Sequence, residues 1–185
     1  MLAYIGIGSN LGDRRQWIDR AVEALRALAP AIRVLRVSAM YETEPDVTGK
    51  IAEEEKDPKH IPLFLNNVVE VETTLEPEAV LKELLGIERS MGRLRPALED
   101  EGTPGTFRPF LSRNIDLDLL FYGDRVYRSR RLTVPHRRAH RRSFVMIPLR
   151  ELNPNFIHPV LKQTVSEICR EPLAPAQIRK VESSL

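Results

Sequence analysis

Asp116 and Asp118 stand two residues apart in Ile115-Asp116-Leu117-Asp118-Leu119. Side chains alternate across a strand, so both carboxylates leave one face while Ile115, Leu117 and Leu119 enter a core on the other. Two carboxylates that close repel unless a cation lies between them. Mg²⁺ answers that need and keeps coordination sites for water and phosphate oxygens. A half-exposed strand shows the same alternation with no metal at all. The surrounding arginines favour the metal. Arg113 lies three residues before Asp116, Arg93 and Arg95 follow a helical stretch, and Arg125 to Arg142 holds eight arginines and two histidines without an acid. Guanidinium forks beside such a pair neutralise a polyphosphate and the charge that develops during its transfer, so phosphoryl chemistry leads.

Neither GxxxxGK[ST] nor GxGxxG occurs, so any nucleotide must be held by side chains and sheet surface. The segment Gly8 to Asp13 (GSNLGD) reads as a phosphate cradle or as a plain strand-to-helix turn. His136 and His140 have metal-ligand spacing, but no third ligand accompanies them and arginines crowd both sides, so phosphate contact is preferred to zinc. His60 and His158 read as incidental, and no nucleophilic Ser/His/Asp signature is present. Phe64, Asn66 and Phe144 form another group: aromatic faces hold a flat heterocycle, and a carboxamide pairs with its donor and acceptor edge. Taken singly, each phenylalanine is more often core.

Elements must position these groups. The 185 residues, 42% hydrophobic and 29% charged, suit one compact domain, 1–185, with its own core. Leu2 to Ile7 reads as a strand ended by Gly8-Ser9-Asn10. Asp13 then caps a helix running from Trp17 to Leu28, where Pro30 stops it. Ile32 to Tyr41 continues as one strand to Thr43. Phe64 to Thr74 is a strand whose Glu70 and Glu72 make a wet face. Pro77 starts a helix that reaches Gly92, and Arg113 to Gly123 is a strand. A hairpin at 125–134, a helix at 143–152 and a terminal helix at 161–170 follow. Residues 46–61 and 95–112 are long loops, read as lids over a site. This order predicts an α+β fold: a ferredoxin-like βαββαβ sandwich, both helices on one face and ligands on the other, with a C-terminal hairpin and helical extension.

Charge and composition narrow the setting. With 28 Lys plus Arg against 26 Asp plus Glu, the basic character is local. No apolar run approaches the roughly 20 residues of a membrane span, and the N-terminal segment lacks a basic leader and a cleavage site. A single cysteine, Cys169, cannot close an intrachain disulfide and reads as a small buried hydrophobe. These features predict a cytoplasmic chain with no membrane and no nucleic-acid partner. An RNA-binding domain of similar fold would offer aromatics on the strand that here carries aspartates.

The segments AYIGIGSNLGD, YETEP, FLNNVVEVET, IERSMGRLR, RNIDLDLLFYG and LTVPHRRAHRRSFVMIPL together resemble the hydroxymethyl-dihydropterin pyrophosphokinases of folate biosynthesis. The resemblance implies diphosphate transfer from ATP to the hydroxymethyl group of 6-hydroxymethyl-7,8-dihydropterin, with release of AMP. It implies that Asp116 and Asp118 hold two Mg²⁺ ions. Arg93 and Arg113 would join them in catalysis, and Arg93, Arg113, Arg131, Thr133 and His136 would contact ATP, with Arg142 and Glu88 beside them. Thr43, Pro45, Phe64, Asn66 and Phe144 match the pterin pocket, where the two phenylalanines would sandwich the ring. ATP and the pterin are the implied small-molecule partners, and no obligate protein partner is expected. One departure is Leu111-Ser112 before Arg113, where the family has Gly-Pro.

Overall fold

Ala3, Ile5 and Ile7 give β1 (Leu2–Ser9) one fully buried apolar face, and the computed structural model sets this strand between β4 (Phe64–Thr73) and β5 (Asp116–Tyr122), antiparallel to both. The structure describes residues 1–46, 62–93, 113–175 and 177–182. Apart from Asp46, the two loops read as lids lie outside these residues. Beyond β4 come β2 (Ile32–Val37) and β3 (Met40–Thr43), and β8 (Ile178–Val181) pairs with β3 at the edge. The sheet order is β5-β1-β4-β3-β8, with β2 paired farther along β4.

The single strand expected over Ile32 to Thr43 is broken at Ser38-Ala39. The Ser38 hydroxyl accepts from Val68 N at 3.0 Å, and Ala39 N–H donates instead to Glu151 Oε1 at 3.1 Å. A side chain thereby replaces a ladder acceptor, which the β-branched pattern does not register.

Helices α1 (Arg14–Arg26) and α2 (Pro77–Ser90) cover one face of the sheet. Asp13 caps α1 by accepting from Gln16 N at 3.0 Å, and Ile18, Ala21, Val22 and Leu25 form its buried stripe. Val80, Leu84 and Ile87 do the same for α2, each side chain contributing about 1.5–3 kcal/mol by burial. The other face is shared between α3 (Ser143–Leu152) and an open cleft. Here the expected wet face of β4 is corrected. Glu70 is buried and paired with Arg36 at 2.5 Å, because α3 lands on this face through Val145, Met146 and Leu149, packing on Tyr4 and Val68. Glu72 is exposed as expected.

The hairpin is β6 (Tyr127–Arg128) and β7 (Thr133–Val134). The terminal helix expected over 161–170 is a single turn, α4 (Val165–Ile168), which begins at a capping box between Thr164 and Glu167 and follows Lys162 in the left-handed region. The chain then returns as β8, a strand too short to show a period in sequence. Cys169 is half-buried against the second core and donates to the Met146 carbonyl.

Candidate active site

Register assembles the cleft. Across β4, β1 and β5, Asn66 pairs with Gly8 and Gly8 with Asp116, while Val68 pairs with Gly6 and Gly6 with Asp118. The middle strand therefore presents no side chain between the carboxamide on one side and the carboxylates on the other. Glycines inside a strand mark such close approach of a ligand. A Cβ at Gly8 would lie 2.8 Å from Asn66 Oδ1. The cleft holds about 620 Å³ of empty space, part of it open to solvent, and its walls include Thr43, Phe64, Asn66, Arg113, Asp116, Asp118, Arg142 and Phe144.

Arg93 and Glu88 support the aspartates from behind. At the end of α2, Gly92 has φ +80°, with Arg93 N donating to Glu88 O at 3.0 Å and Gly92 N to Arg89 O at 3.0 Å. These bonds are the Schellman pattern, which satisfies the last helical carbonyls and folds the chain back on itself. Arg93 is thus returned to Glu88. Its Nη1 donates to Glu88 Oε1 at 2.5 Å and also to Asp116 Oδ1. The same Glu88 oxygen accepts from Leu117 N at 2.8 Å. Burial pulls the Arg93 guanidinium down, but the Asp116 and Glu88 carboxylates outweigh it and raise the group above its ordinary value.

Arg113 is aimed by the N-terminal turn. Asn10 is buried; its Oδ1 accepts from Arg113 N at 2.8 Å, and its own N–H donates to Arg113 O at 3.2 Å. The GSNLGD segment is thus the strand-to-helix turn, with Asn10 clamping the backbone of Arg113. Arg113 Nη2 then reaches Asp116 Oδ2 at 3.4 Å.

On the aromatic side, Asn66 Nδ2 donates to Thr43 Oγ1 at 3.1 Å, and the Arg142 guanidinium lies 5.3 Å from the centre of the Phe144 ring. Of the expected residues, Thr43, Phe64, Asn66, Phe144, Arg113, Arg142, Asp116 and Asp118 line the cleft. Pro45, Glu88, Arg93, Arg131, Thr133 and His136 are not on its walls. Pro45 is buried two residues after Thr43 in the chain, Arg131 is exposed, and Thr133 lies on β7, which packs against β5. His136 N–H donates to Leu120 O at 2.8 Å, and burial pushes its imidazole down against the opposing pull of Asp118. Gly6, Ile7, Glu44, Asp46, Asn67, Leu120 and Val145 also line the cleft and were not named as site residues from the sequence, whereas Gly8 opened the GSNLGD segment read as a cradle or a turn. For the glycines, their alternation within an apolar strand was the available signal.

The aspartates fit a hard divalent cation. Burial first, then the neighbouring Asp116 charge, push the Asp118 carboxyl above the usual carboxylate range, with His136, Arg142 and Arg113 opposing. Asp116 is paired with Arg93 and Arg113, whereas Asp118 forms no ion pair among the described residues. A local excess of carboxylate charge facing an open cleft suits Mg²⁺, which takes few protein ligands and completes its shell with water and phosphate. No group of three His, Cys, Asp or Glu side chains suited to a metal occurs among the described residues, so the donor set is not that of a closed structural zinc site.

Comparison with known proteins finds relatives over most of the chain. Folic acid synthesis protein fol1 of Schizosaccharomyces pombe is 37% identical over 166 residues, covering 90% of this chain but 20% of that protein. The Pneumocystis carinii protein of the same name is covered to 18%, so the chain spans about a fifth of these fungal relatives. The 2-amino-4-hydroxy-6-hydroxymethyldihydropteridine pyrophosphokinase of Methylorubrum extorquens is 36% identical over 180 residues, 97% of this chain and 98% of that protein. A Plasmodium falciparum HPPK-DHPS crystal structure shares the fold, with a TM-score of 0.64 at 16% identity over 91% of this chain and 44% of the other. Residues 4–154 match the family described as 7,8-dihydro-6-hydroxymethylpterin-pyrophosphokinase (HPPK), and the chain belongs to that family.

Proposed function

We propose that the protein transfers the terminal diphosphate of ATP to the hydroxymethyl group of 6-hydroxymethyl-7,8-dihydropterin, releasing AMP, in folate biosynthesis. The observation that carries this reading is one cleft in which Asp116, Asp118 and Arg113 face Asn66, Phe64 and Phe144 across bare glycine backbone. The pterin hydroxyl oxygen attacks the β phosphorus, the bond from that phosphorus to the oxygen bridging to the α phosphate breaks, and the hydroxyl proton is released. Asp116 and Asp118 would hold Mg²⁺, two ions in this reading, which would supply charge neutralisation of the phosphates.

The chain's own residues do the rest. Phe64 and Phe144 hold the flat ring, and Asn66, its Nδ2 engaged by Thr43, turns its Oδ1 to the ring's donor edge, with Pro45 shaping the same end. Arg113 and Arg93 meet the charge that grows on the phosphates, as preorganised guanidinium groups do. Arg142, Arg131, Thr133 and His136 contact the nucleotide, and Glu88 acts on it through Arg93.

The βαββαβ order, with β2 and β3 as the two halves of one strand, and the sheet order β5-β1-β4-β3 support a ferredoxin-like core. Pairing of β8 with β3 supports treating 1–185 as one domain. No helix among the described residues is long and apolar enough to cross a membrane, and the half-buried thiol of Cys169 is in keeping with the cytoplasmic setting we propose. Nucleotide analysis after mixing protein, ATP, Mg²⁺ and the hydroxymethyl pterin tests the activity. AMP should appear in step with pterin diphosphate, and ADP as the main product would refute it.

A further inference from the structure

Asp46 follows the Thr43-Glu44-Pro45 segment directly and lies on the wall of the cleft. Its carboxylate is only 6% exposed, and Oδ2 accepts from both Arg138 Nη2 at 3.0 Å and Arg142 Nε at 3.2 Å. The two arginines flank the short 3-10 turn Ala139–Arg141, inside the acid-free arginine block. Two guanidinium groups thus converge on one carboxylate oxygen in the same cleft as Asp116 and Asp118. Arg142 also touches the Phe144 ring, so this junction lies where the aromatic and acidic halves of the cleft meet.

A carboxylate and a phosphate ask for the same partner: a planar guanidinium donating charge-assisted bonds to anionic oxygen. We propose that Asp46 is an affinity-setting residue for ATP, a built-in competitor that occupies the Arg138–Arg142 pair and yields it when the nucleotide's phosphates arrive. This rests on the assignment of Arg142 to ATP made above. Burial lowers the Arg142 guanidinium and Arg138 adds to the effect, while Asp46 and Asp118 counter it. With no anion between them, two such cations would repel. Asp46 therefore keeps them together in the free protein and must be displaced before phosphate can use them. A self-occupied site binds its ligand with its intrinsic affinity multiplied by the fraction of molecules in which it is open.

The test is titration calorimetry of the Mg²⁺ complex of α,β-methylene-ATP into four proteins: wild type, Asp46→Asn, Arg142→Ala and the double variant, each first checked by thermal melting. Asp46→Asn should tighten the analogue by roughly 3- to 10-fold, the range expected for losing one partly buried ion-pair competitor. Arg142→Ala should weaken it, and Asp46→Asn added to Arg142→Ala should give a smaller tightening than Asp46→Asn alone. If Asp46→Asn does not fold, Asp46→Ser takes its place. Weakened or unchanged binding in the Asp46 variants, alongside weakened binding in Arg142→Ala, would overturn the competitor and leave the ATP site standing. Unchanged binding in Arg142→Ala would remove the ATP assignment of this arginine and the competitor together.

Discussion

Glu88 Oε1 on α2 accepts the backbone N–H of Leu117, the residue between Asp116 and Asp118, at 2.8 Å, and the same oxygen takes Arg93 Nη1 at 2.5 Å. One buried carboxylate thus sets both the strand that carries the acidic pair and the guanidinium beside it. Removing Glu88 leaves the buried Leu117 N–H without its acceptor and Arg93 with Asp116 alone, and breaking one side of a buried pair typically costs about 3–5 kcal/mol. Glu88→Ala is expected to lower unfolding free energy by about 3 kcal/mol and to reduce turnover. Glu88→Gln keeps an acceptor for Leu117 and should lose less stability. Urea unfolding of both variants checks this, and an unchanged midpoint for Glu88→Ala would contradict the strut.

Replacing Asp116 or Asp118 with Asn should lower kcat by a thousandfold or more, on the order expected for losing metal-held charge stabilisation. Asp118→Asn should not destabilise the fold in the absence of metal. Burial and Asp116 already disfavour the ionised Asp118 carboxyl, so the folded state at neutral pH gains when that charge is removed. Steady-state rates and melting temperatures in EDTA measure the two effects. A variant with wild-type turnover would show the carboxylates to be merely solvated.

Gly8→Ala should act on the pterin alone. Its new methyl would lie 2.8 Å from Asn66 Oδ1, so the carboxamide bonded to Thr43 must move. The KM for the pterin should rise about tenfold or more, as for one misplaced buried hydrogen bond, with Phe64→Ala and Asn66→Ala behaving alike. Arg113→Ala should instead reduce mainly kcat. Equal effects of all four on the KM for ATP would mean that the aromatic half of the cleft has another use.

Acid should destabilise the C-terminal region through His158. Burial first, with His140 adding to it, pushes its imidazole down to about 4 from an ordinary 6.5. Nδ1 accepts from Val160 N at 3.1 Å and Leu161 N at 3.2 Å, and Nε2 is buried without a hydrogen-bond partner among the described residues. The unfolded chain takes up the proton near pH 6.5, whereas the folded one resists it until about pH 4. Stability is therefore fully present above pH 6.5 and falls as pH drops through that window, by about 3 kcal/mol in all. His158→Asn retains an acceptor for the two N–H groups and should flatten this pH dependence. Chemical denaturation at pH 7.5 and pH 5 compares the two proteins, and an equal fall in both would assign the acid sensitivity elsewhere.

Much of this was readable along the chain, because the signals were local. The Asp13 cap, the apolar stripe of α1, Pro77 at the start of α2 and the alternation of Asp116 and Asp118 against buried Leu117 and Leu119 each depend on neighbours within one or two turns. Strand β8, the break at Ser38 and the burial of Glu70 were not readable. Each is decided by a distant partner: β3 at the sheet edge, Glu151, and α3.

Residue types and their spacing along the chain supplied the candidate groups: a carboxylate pair at strand spacing, arginines without balancing acids, and aromatics with a carboxamide. Their arrangement came from long-range contacts. Register set Asn66, Gly8 and Asp116 in one row, Asn10 clamped the backbone of Arg113 from 103 positions away, and Asp46 met Arg142 across 96. Residue type and spacing state what a group can bind. Which groups share a cleft depends on strand register and on contacts between remote segments, and those follow from burying both faces of the sheet at once.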